Sequence, residues 1–556
     1  MAERDPIPAD IVMSIGPRPP ERDSSLGIAV TVSGEGTPTN RFVTIGDSIT
    51  HGFMSAAIHR TELSWPAIVA YELGLELQAD GKSRSGSAGG GVTARSGFRY
   101  PVYEPPTGPG GLPFDLERVA RAFQKRYGSK LNWHEVPSAA LWIRKYMDQI
   151  EDYWERGDGT KIPATTAPHH NLAVYGWDLL DPQLMTSDIA RKRRKAHPPK
   201  DALIKQMVER DTDIAALRVL STCEVGGAGQ TVFDAAKRMG EQGTIEQPDQ
   251  GDGIETLVVV LGANNALGSV VSLDPKWTPK EYPNWSDEEK LKKKGAYNLW
   301  HPKAFEADWR RLVTEIEAVR ARHVIVATVP QVTIAPICRG VGGRIDQRSR
   351  YFKWYTRPWI TDETFDEDRD PHFTSEEARA IDSAIDAYNA TIIESVRAAR
   401  NDGKDWRIFD LGGALDSLAA RRYQENPLAR PTWWEPYALP PQLDALEPKP
   451  DTRFYGADES GRTHGGIFSM DGVHPTTSGY GLIANEVIRI MVAAGVTFRS
   501  QNGDVRDPKE VAVDFDRILA ADGLLSRPPT CVDSSLATLA WLDDLVDWVQ
   551  GLLPSV

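Results

Sequence analysis

A serine hydroxyl is a weak nucleophile unless a neighbouring base takes its proton. Ser48 has a setting that suits such a role. It sits in RFVTIGDSITHG (41–52), just past a short apolar run that Gly46 and Asp47 break. Such a serine is either a turn residue that stops a strand or a nucleophile that the strand presents. The second reading needs an imidazole and a carboxylate to orient it. Among 11 histidines, His474 has the fitting context, FSMDGVHPTTSGYGLIANEVI (468–488). Asp471 lies three residues before it, and an apolar-periodic helix follows Pro475 with Thr and Ser available as caps. One short loop thus carries a carboxylate for one ring nitrogen and leaves the other free to accept the Ser48 proton. Taken alone, Asp-x-x-His-Pro reads equally well as a structural loop. Acyl transfer also needs donors for an oxyanion. Asn264, in LGANNALG (261–268), could bring a side-chain amide, and Gly176, in NLAVYGWDLLD (171–181), a backbone N–H. Each is weak by itself, because Gly ends many strands and Asn often caps a helix.

The elements that must position these residues follow a repeating pattern. Short β-rich runs at 41–46, 171–176, 256–262, 323–330 and 406–412 are mostly apolar and end in Gly or Pro. Parallel strands covered on both faces read this way. Helical spacing at 64–73, 305–322, 375–400 and 481–494 alternates with them. The alternation predicts a doubly wound α/β fold, in which ligands bind at the carboxyl ends of the strands. Residues 1–40 read as an N-terminal arm, Pro-rich and charged at its start, and 41–495 as the main domain. Its core needs fewer residues than are present, so 80–168, 178–254, 331–374 and 413–468 read as insertions that form a lid, a cap or substrate walls. Residues 496–556 form a C-terminal extension, in which 536–553 has an amphipathic helical stripe backed by Asp543, Asp544 and Asp547.

Several other stretches read as structural. The Gly-rich SGSAGGGVTARSG (85–97) lacks the P-loop spacing and a preceding strand. The run RKRRK (191–195) reads as a solvated helix end or loop. His134, in HEVPS, is not part of H-E-x-x-H, and His169–His170 read as loop residues before a strand. The aromatic clusters WYTRPW (354–359) and PTWWEPY (431–437) are candidates for core packing or for a pocket wall.

Composition limits the partners. Sixty-four Lys and Arg against 78 Asp and Glu leave a formal charge of −14, which argues against a general nucleic-acid binder or an anionic membrane surface. Cys223, Cys338 and Cys531 give neither a disulfide framework nor a zinc spacing, and read as reduced thiols. There is no signal-peptide pattern and no apolar run of transmembrane length. The expectation is a soluble, cytoplasmic protein.

Taken in order, the pieces are GDS, a Gly after the second run, GAN after the third and DxxHP before a late helix. This order resembles the SGNH hydrolase family, also called GDSL esterases and lipases. GDSITHG (46–52) and DGVHPTTSGYGLIA (471–484) carry the resemblance most closely. It implies a flavodoxin-like α/β/α sandwich with a five-stranded parallel sheet. It also implies that Ser48 is the nucleophile, His474 the general base and acid, and Asp471 its orienting partner. The oxyanion hole would be the Ser48 and Gly176 backbone N–H groups with the Asn264 side chain, and Asp47 would mainly shape the turn. No metal or organic cofactor is implied. The chain departs from the family pattern where Gly176 lies between Tyr175 and Trp177 rather than small residues, and where Asn265 stands in place of a common Asp. Gly226 and Gly227, in STCEVGGAGQT (221–231), compete with Gly176, which the preceding strand favours. An α/β-hydrolase would need G-x-S-x-G, and no such string occurs.

The expected function is hydrolysis of a carboxylic ester through an acyl-enzyme on Ser48, with a small-molecule, lipid or glycan ester as substrate. An acyltransferase, a carbohydrate O-deacetylase or a phospholipase would use the same residues. A catalytically silent binding protein on the same fold is the alternative from another class. The sequence leaves the oligomeric state open.

Overall fold

The computed structural model describes residues 5–532 apart from 15, 33, 81, 84–96, 104–109, 131–133, 164–166, 198–207, 209 and 249–252. The amphipathic stretch 536–553 and nearly all of the Gly-rich 85–97 lie outside the described residues.

The centre is a parallel sheet of four strands, β1 (Asn40–Gly46), β2 (Ile254–Val260), β3 (Ala321–Ala327) and β4 (Trp406–Phe409), hydrogen-bonded in that order. All seven residues of β1 are buried, and in β2 only Glu255 is partly exposed. Both faces of the sheet are therefore covered, which explains why these strands read as unbroken apolar runs. The register sets Gly46 beside Val260, Val259 beside Val326 and Ala327 beside Phe409. All four strands thus end at one edge.

The eight helices used below are α1 (Ser48–His51), α2 (Trp65–Glu72), α3 (Val232–Glu241), α4 (Asn264–Ser272), α5 (Pro302–Glu317), α6 (Ser375–Asn401), α7 (Leu411–Leu418) and α8 (Thr477–Ala493). α2 packs on α8, α5 packs on α6, and α3 packs on β1. Phe305 of α5 stacks on Tyr388 of α6 with ring centroids 3.9 Å apart. Start signals place the helices more exactly than periodicity does. The Ser64 side chain caps α2, Thr374 and Glu377 form a capping box on α6, and Thr476 caps α8. α5 starts at Pro302, a favoured first helical position, and stops at Glu317, because Ala321 already belongs to β3.

The expected fifth strand at 171–176 is corrected. The segment lies beside β1, with Leu172 N bonded to Thr44 O and Val174 N to Gly46 O, yet it forms only an isolated parallel bridge at Asn171. The cause is the Asn171 side chain. Its Oδ1 accepts from Ala173 N at 3.2 Å, two residues on, which is an Asx-type turn that competes with the ladder. The fifth run is also shorter than expected: 406–409 is strand, and Asp410 then caps α7.

The insertions are structured. Residues 331–374 contribute an antiparallel sheet of Arg339–Arg344, Phe352–Thr356 and His372–Thr374. Tyr355 of WYTRPW stacks on Phe373 at 5.0 Å within that sheet and is core. The RKRRK run closes the helix Ser187–Ala196, as the charge pattern predicts. All three cysteines are buried. Among the described residues, no helix is long and apolar enough to cross a membrane.

Beyond β3 the chain bends toward the sheet edge, and one side chain fixes it there. Asn389 of α6 accepts from Val329 N at 2.7 Å and donates to Val329 O at 2.8 Å, both bonds buried. Its amide takes the place of a strand neighbour. Asn389→Ala leaves two buried backbone groups unpaired, at about 1–3 kcal/mol each. The expected result is a fall in stability of roughly 2 kcal/mol or more, read as a lower urea midpoint at unchanged slope; an unchanged midpoint would contradict it.

Candidate active site

Ser48 opens α1 directly beyond β1, and the Asp47 carboxylate caps the helix by accepting from Ile49 N at 3.1 Å. The Ser48 hydroxyl lies 2.9 Å from His474 Nε2. His474 Nδ1 lies 3.0 Å from Asp471 Oδ2. With the ring proton on Nδ1, it donates to Asp471, and Nε2 accepts from the Ser48 O–H. The order serine, imidazole, carboxylate is the one that lets a base take the hydroxyl proton. Residues 426 positions apart are joined in this line. The Phe53 ring lies against the imidazole, with centroids 4.6 Å apart.

Asp471 is fully buried and must stay charged to orient the ring. Burial alone would raise its carboxyl, but the facing His474 and the donors around it hold it below the usual value. Oδ1 accepts from Val473 N and His474 N, each at 2.8 Å, and Oδ2 also accepts from Ala56 N at 2.8 Å. Ser55 N donates to Ser469 Oγ at 2.8 Å, and Ser469 Oγ in turn donates to Asp471 Oδ1 at 3.3 Å. Ser55 and Ala56 form the two-residue turn between the short strands Phe53–Met54 and Ala57–Ile58. Both have positive φ, 51° and 62°, a conformation that costs energy for residues other than Gly. Sequence reasoning missed this turn. Ser-Ala lacks the Asn-Gly or Asp-Gly signature that would have revealed it.

The oxyanion candidates converge through strand register. Gly46 is hydrogen-bonded to Val174 on one side and paired with Val260 on the other. Ser48, Gly176 and Asn264 lie two, two and four residues beyond these partners. Asn264 Nδ2 donates to Trp177 O at 2.9 Å, which ties α4 to the Gly176 turn and leaves its second amide hydrogen for another acceptor. Asn265 adds a second tie, its Oδ1 accepting from Leu179 N at 3.3 Å. Gly176 has φ +78°, a backbone conformation that any side chain would strain. Among the described residues, the Ser48 and Gly176 amides have no hydrogen-bond acceptor. Gly226 and Gly227 instead occupy an exposed hairpin tip between Val225 and Ala228 and take no part.

The serine and His474 open onto an apolar cavity of about 100 Å³. Its walls include Leu267 of α4, Val332, Leu415 and Leu418 of α7, Tyr437 and Leu482 of α8. Tyr437 comes from PTWWEPY, and its hydroxyl donates to Glu486 at 2.6 Å. Residues from the stretches 331–374 and 413–468 thus line part of this cavity. No sequence signal marked the leucines as lining.

His169 and His170, read from sequence as loop residues, are buried. Burial lowers both, His169 to about 3. His170 Nδ1 accepts from Arg99 N at 2.8 Å. Among the described residues, no group of three or more His, Cys, Asp or Glu is placed to hold a metal ion.

Asp47 has a second electrostatic feature. Its Oδ2 is buried with no hydrogen-bond partner, and desolvation pushes the carboxyl up to about 7. Between about pH 4 and 7 the folded chain keeps a proton that the unfolded chain has released, so this group lowers stability as pH rises through that window. Asp47→Asn keeps an acceptor for Ile49 N and cannot ionise. The variant is expected to lose less stability than its parent between pH 4.5 and 7.5, measured by urea unfolding at both pH values; equal losses would show that Asp47 does not titrate in this range. Comparison with protein-family models, with curated proteins and with solved structures found no match for this chain.

Proposed function

We propose that this protein is a serine ester hydrolase of the SGNH type, acting on carboxylic esters with an apolar acyl chain. The observation that carries the reading is the Ser48–His474–Asp471 hydrogen-bonded line at the mouth of an apolar cavity. The strand order supports it as well. If the 171–174 segment is counted as the second strand, the sheet runs 2-1-3-4-5, the flavodoxin-like order. Ser48 then follows the first strand, at the switch point where such sheets bind ligands.

In this mechanism Ser48 Oγ attacks the acyl carbon while His474 Nε2 takes its proton. The charged Asp471 steadies the imidazolium that results. The carbonyl oxygen becomes an oxyanion facing the amides of Ser48 and Gly176 and the Asn264 side chain, donors already in place before charge develops. The tetrahedral intermediate collapses, His474 Nε2 gives its proton to the leaving alcohol, and the acyl group stays on Ser48. A water then attacks the acyl-enzyme, with His474 as base, and the carboxylic acid leaves. The acyl chain rests among Leu267, Val332, Leu415, Leu418 and Leu482.

Ser48→Ala and His474→Ala should each lower kcat for p-nitrophenyl ester hydrolysis by about 10⁴-fold or more with the fold retained. His474→Ala should also slow labelling of Ser48 by a fluorophosphonate; unchanged turnover in either variant sinks the assignment. Burying one methylene contributes about 0.8 kcal/mol. Across acetate, butyrate, hexanoate and octanoate esters, kcat/KM should therefore rise by roughly fourfold per methylene until the cavity is full. Leu415→Trp should move the optimum to a shorter chain. A profile that falls steadily from acetate upward would rule out the apolar acyl site.

A further inference from the structure

A second concave site lies on the other side of the loop that carries Asp471 and His474. It is a half-open cleft of about 470 Å³ whose wall includes Arg339, Arg421, Arg453, His464, Glu425 and Phe454. No residue is common to this cleft and the apolar cavity. Phe454 separates it from the loop, its ring so close to Gly472 that a Cβ there would meet it at 2.8 Å.

Charge is distributed unusually in this cleft. The chain as a whole is acidic, at −14, yet here three arginines gather around a single carboxylate. Arg453 is neutralised by Asp451, with bonds of 2.9 and 2.6 Å. Arg339 and Arg421 have no ion pair among the described residues. Their donors are also little used. Arg339 Nη1 makes one long bond, 3.4 Å to Pro358 O, and its Nε is buried with no partner. Arg421 makes one bond, from Nη2 to Gly340 O at 2.8 Å, and its guanidinium lies 4.9 Å from the centre of the Phe352 ring. Burial and the like charge of Arg339 both lower Arg421. Arg339 Nε is the buried donor that lacks a partner, and the remaining guanidinium donors face the open cleft, where an anion could accept from both groups. Arginine in this arrangement matches an oxyanion with several acceptor oxygens.

We propose that this cleft is a binding site for a phosphate-class dianion, held between the guanidinium groups of Arg339 and Arg421. Two forked guanidinium groups offer more donors than one carboxylate can accept, whereas the several oxygens of a phosphate or phosphate monoester can take bonds from both, with Glu425 as the one facing negative charge. The shape of the cleft leaves room beyond the bare ion for the organic part of a monoester. The site stands independently of the ester hydrolase reading.

The test is isothermal titration calorimetry on the full chain with inorganic phosphate and, separately, glycerol 1-phosphate, at ionic strength held constant with chloride. Saturable binding of either is expected, and tighter binding of the monoester would identify an organic phosphate as the ligand. Arg339→Gln with Arg421→Gln should weaken binding by 100-fold or more. Glu425→Gln, at an exposed position facing the cleft, should tighten it several-fold, which keeps the test informative if the double variant fails to fold. No saturable heat with either probe overturns the proposal, as does a Glu425→Gln affinity equal to or weaker than that of the parent. Neither readout involves ester turnover, so failure here leaves the Ser48 assignment untouched.

Discussion

The rest of the site depends on one buried carboxylate staying ionised. Asp471 has no exposed surface, and an isolated charge in that position would protonate instead. It is held charged by amides from two directions. Its own loop supplies Val473 and His474, and the turn after Phe53 supplies Ala56. The second contribution requires two non-glycine residues in left-handed conformations. Local strain in the Ser55–Ala56 turn is thus offset by what it does for a carboxylate more than 400 positions away. Asp47, nearby and equally buried, lacks such donors on one oxygen and lies at the opposite end of the range, pushed up to about 7. Two aspartates of one site, both desolvated, are thus shifted in opposite directions because the donors and the facing imidazole differ.

The apolar cavity has a different kind of support. Arg422, buried, donates to Gln331 Oε1, Thr333 Oγ1 and Asp382, binding the turn after β3 to α6 and to the 413–468 insertion. Asn389 fixes Val329 two residues earlier. These polar ties hold the segment 329–333 rigidly enough to serve as a wall, although it has left the sheet. Polar networks of this sort specify one arrangement when every member is satisfied.

Strands β1, β2 and β3 could be read in the sequence because burial on both faces leaves an apolar run with a clear end. Ser48 and Asn264 were legible for the same reason, since each follows such an end. His474 and Asp471 were legible because their loop is local and precedes a capped helix. The 171–176 run looked like the others, but a single side chain, Asn171, diverts its backbone, and periodicity carries no trace of that competition. The Ser55–Ala56 turn was hidden by residue types that ordinarily avoid it. The cavity leucines and the pair Arg339 and Arg421 were hidden by distance along the chain. Each is an ordinary residue until the insertions fold back and bring it into place.

The ends of β1 and β2 and the 471–474 loop hold the groups arranged for chemistry, whereas Leu415, Leu418 and Tyr437 come from a stretch that the sheet does not require. In the proposed hydrolase, part of the acyl-site wall thus comes from a stretch of chain separate from the one that carries the nucleophile. Substitutions in residues 413–440 can reshape the space beside Ser48 while the hydrogen-bonded line Ser48–His474–Asp471 stays as it is.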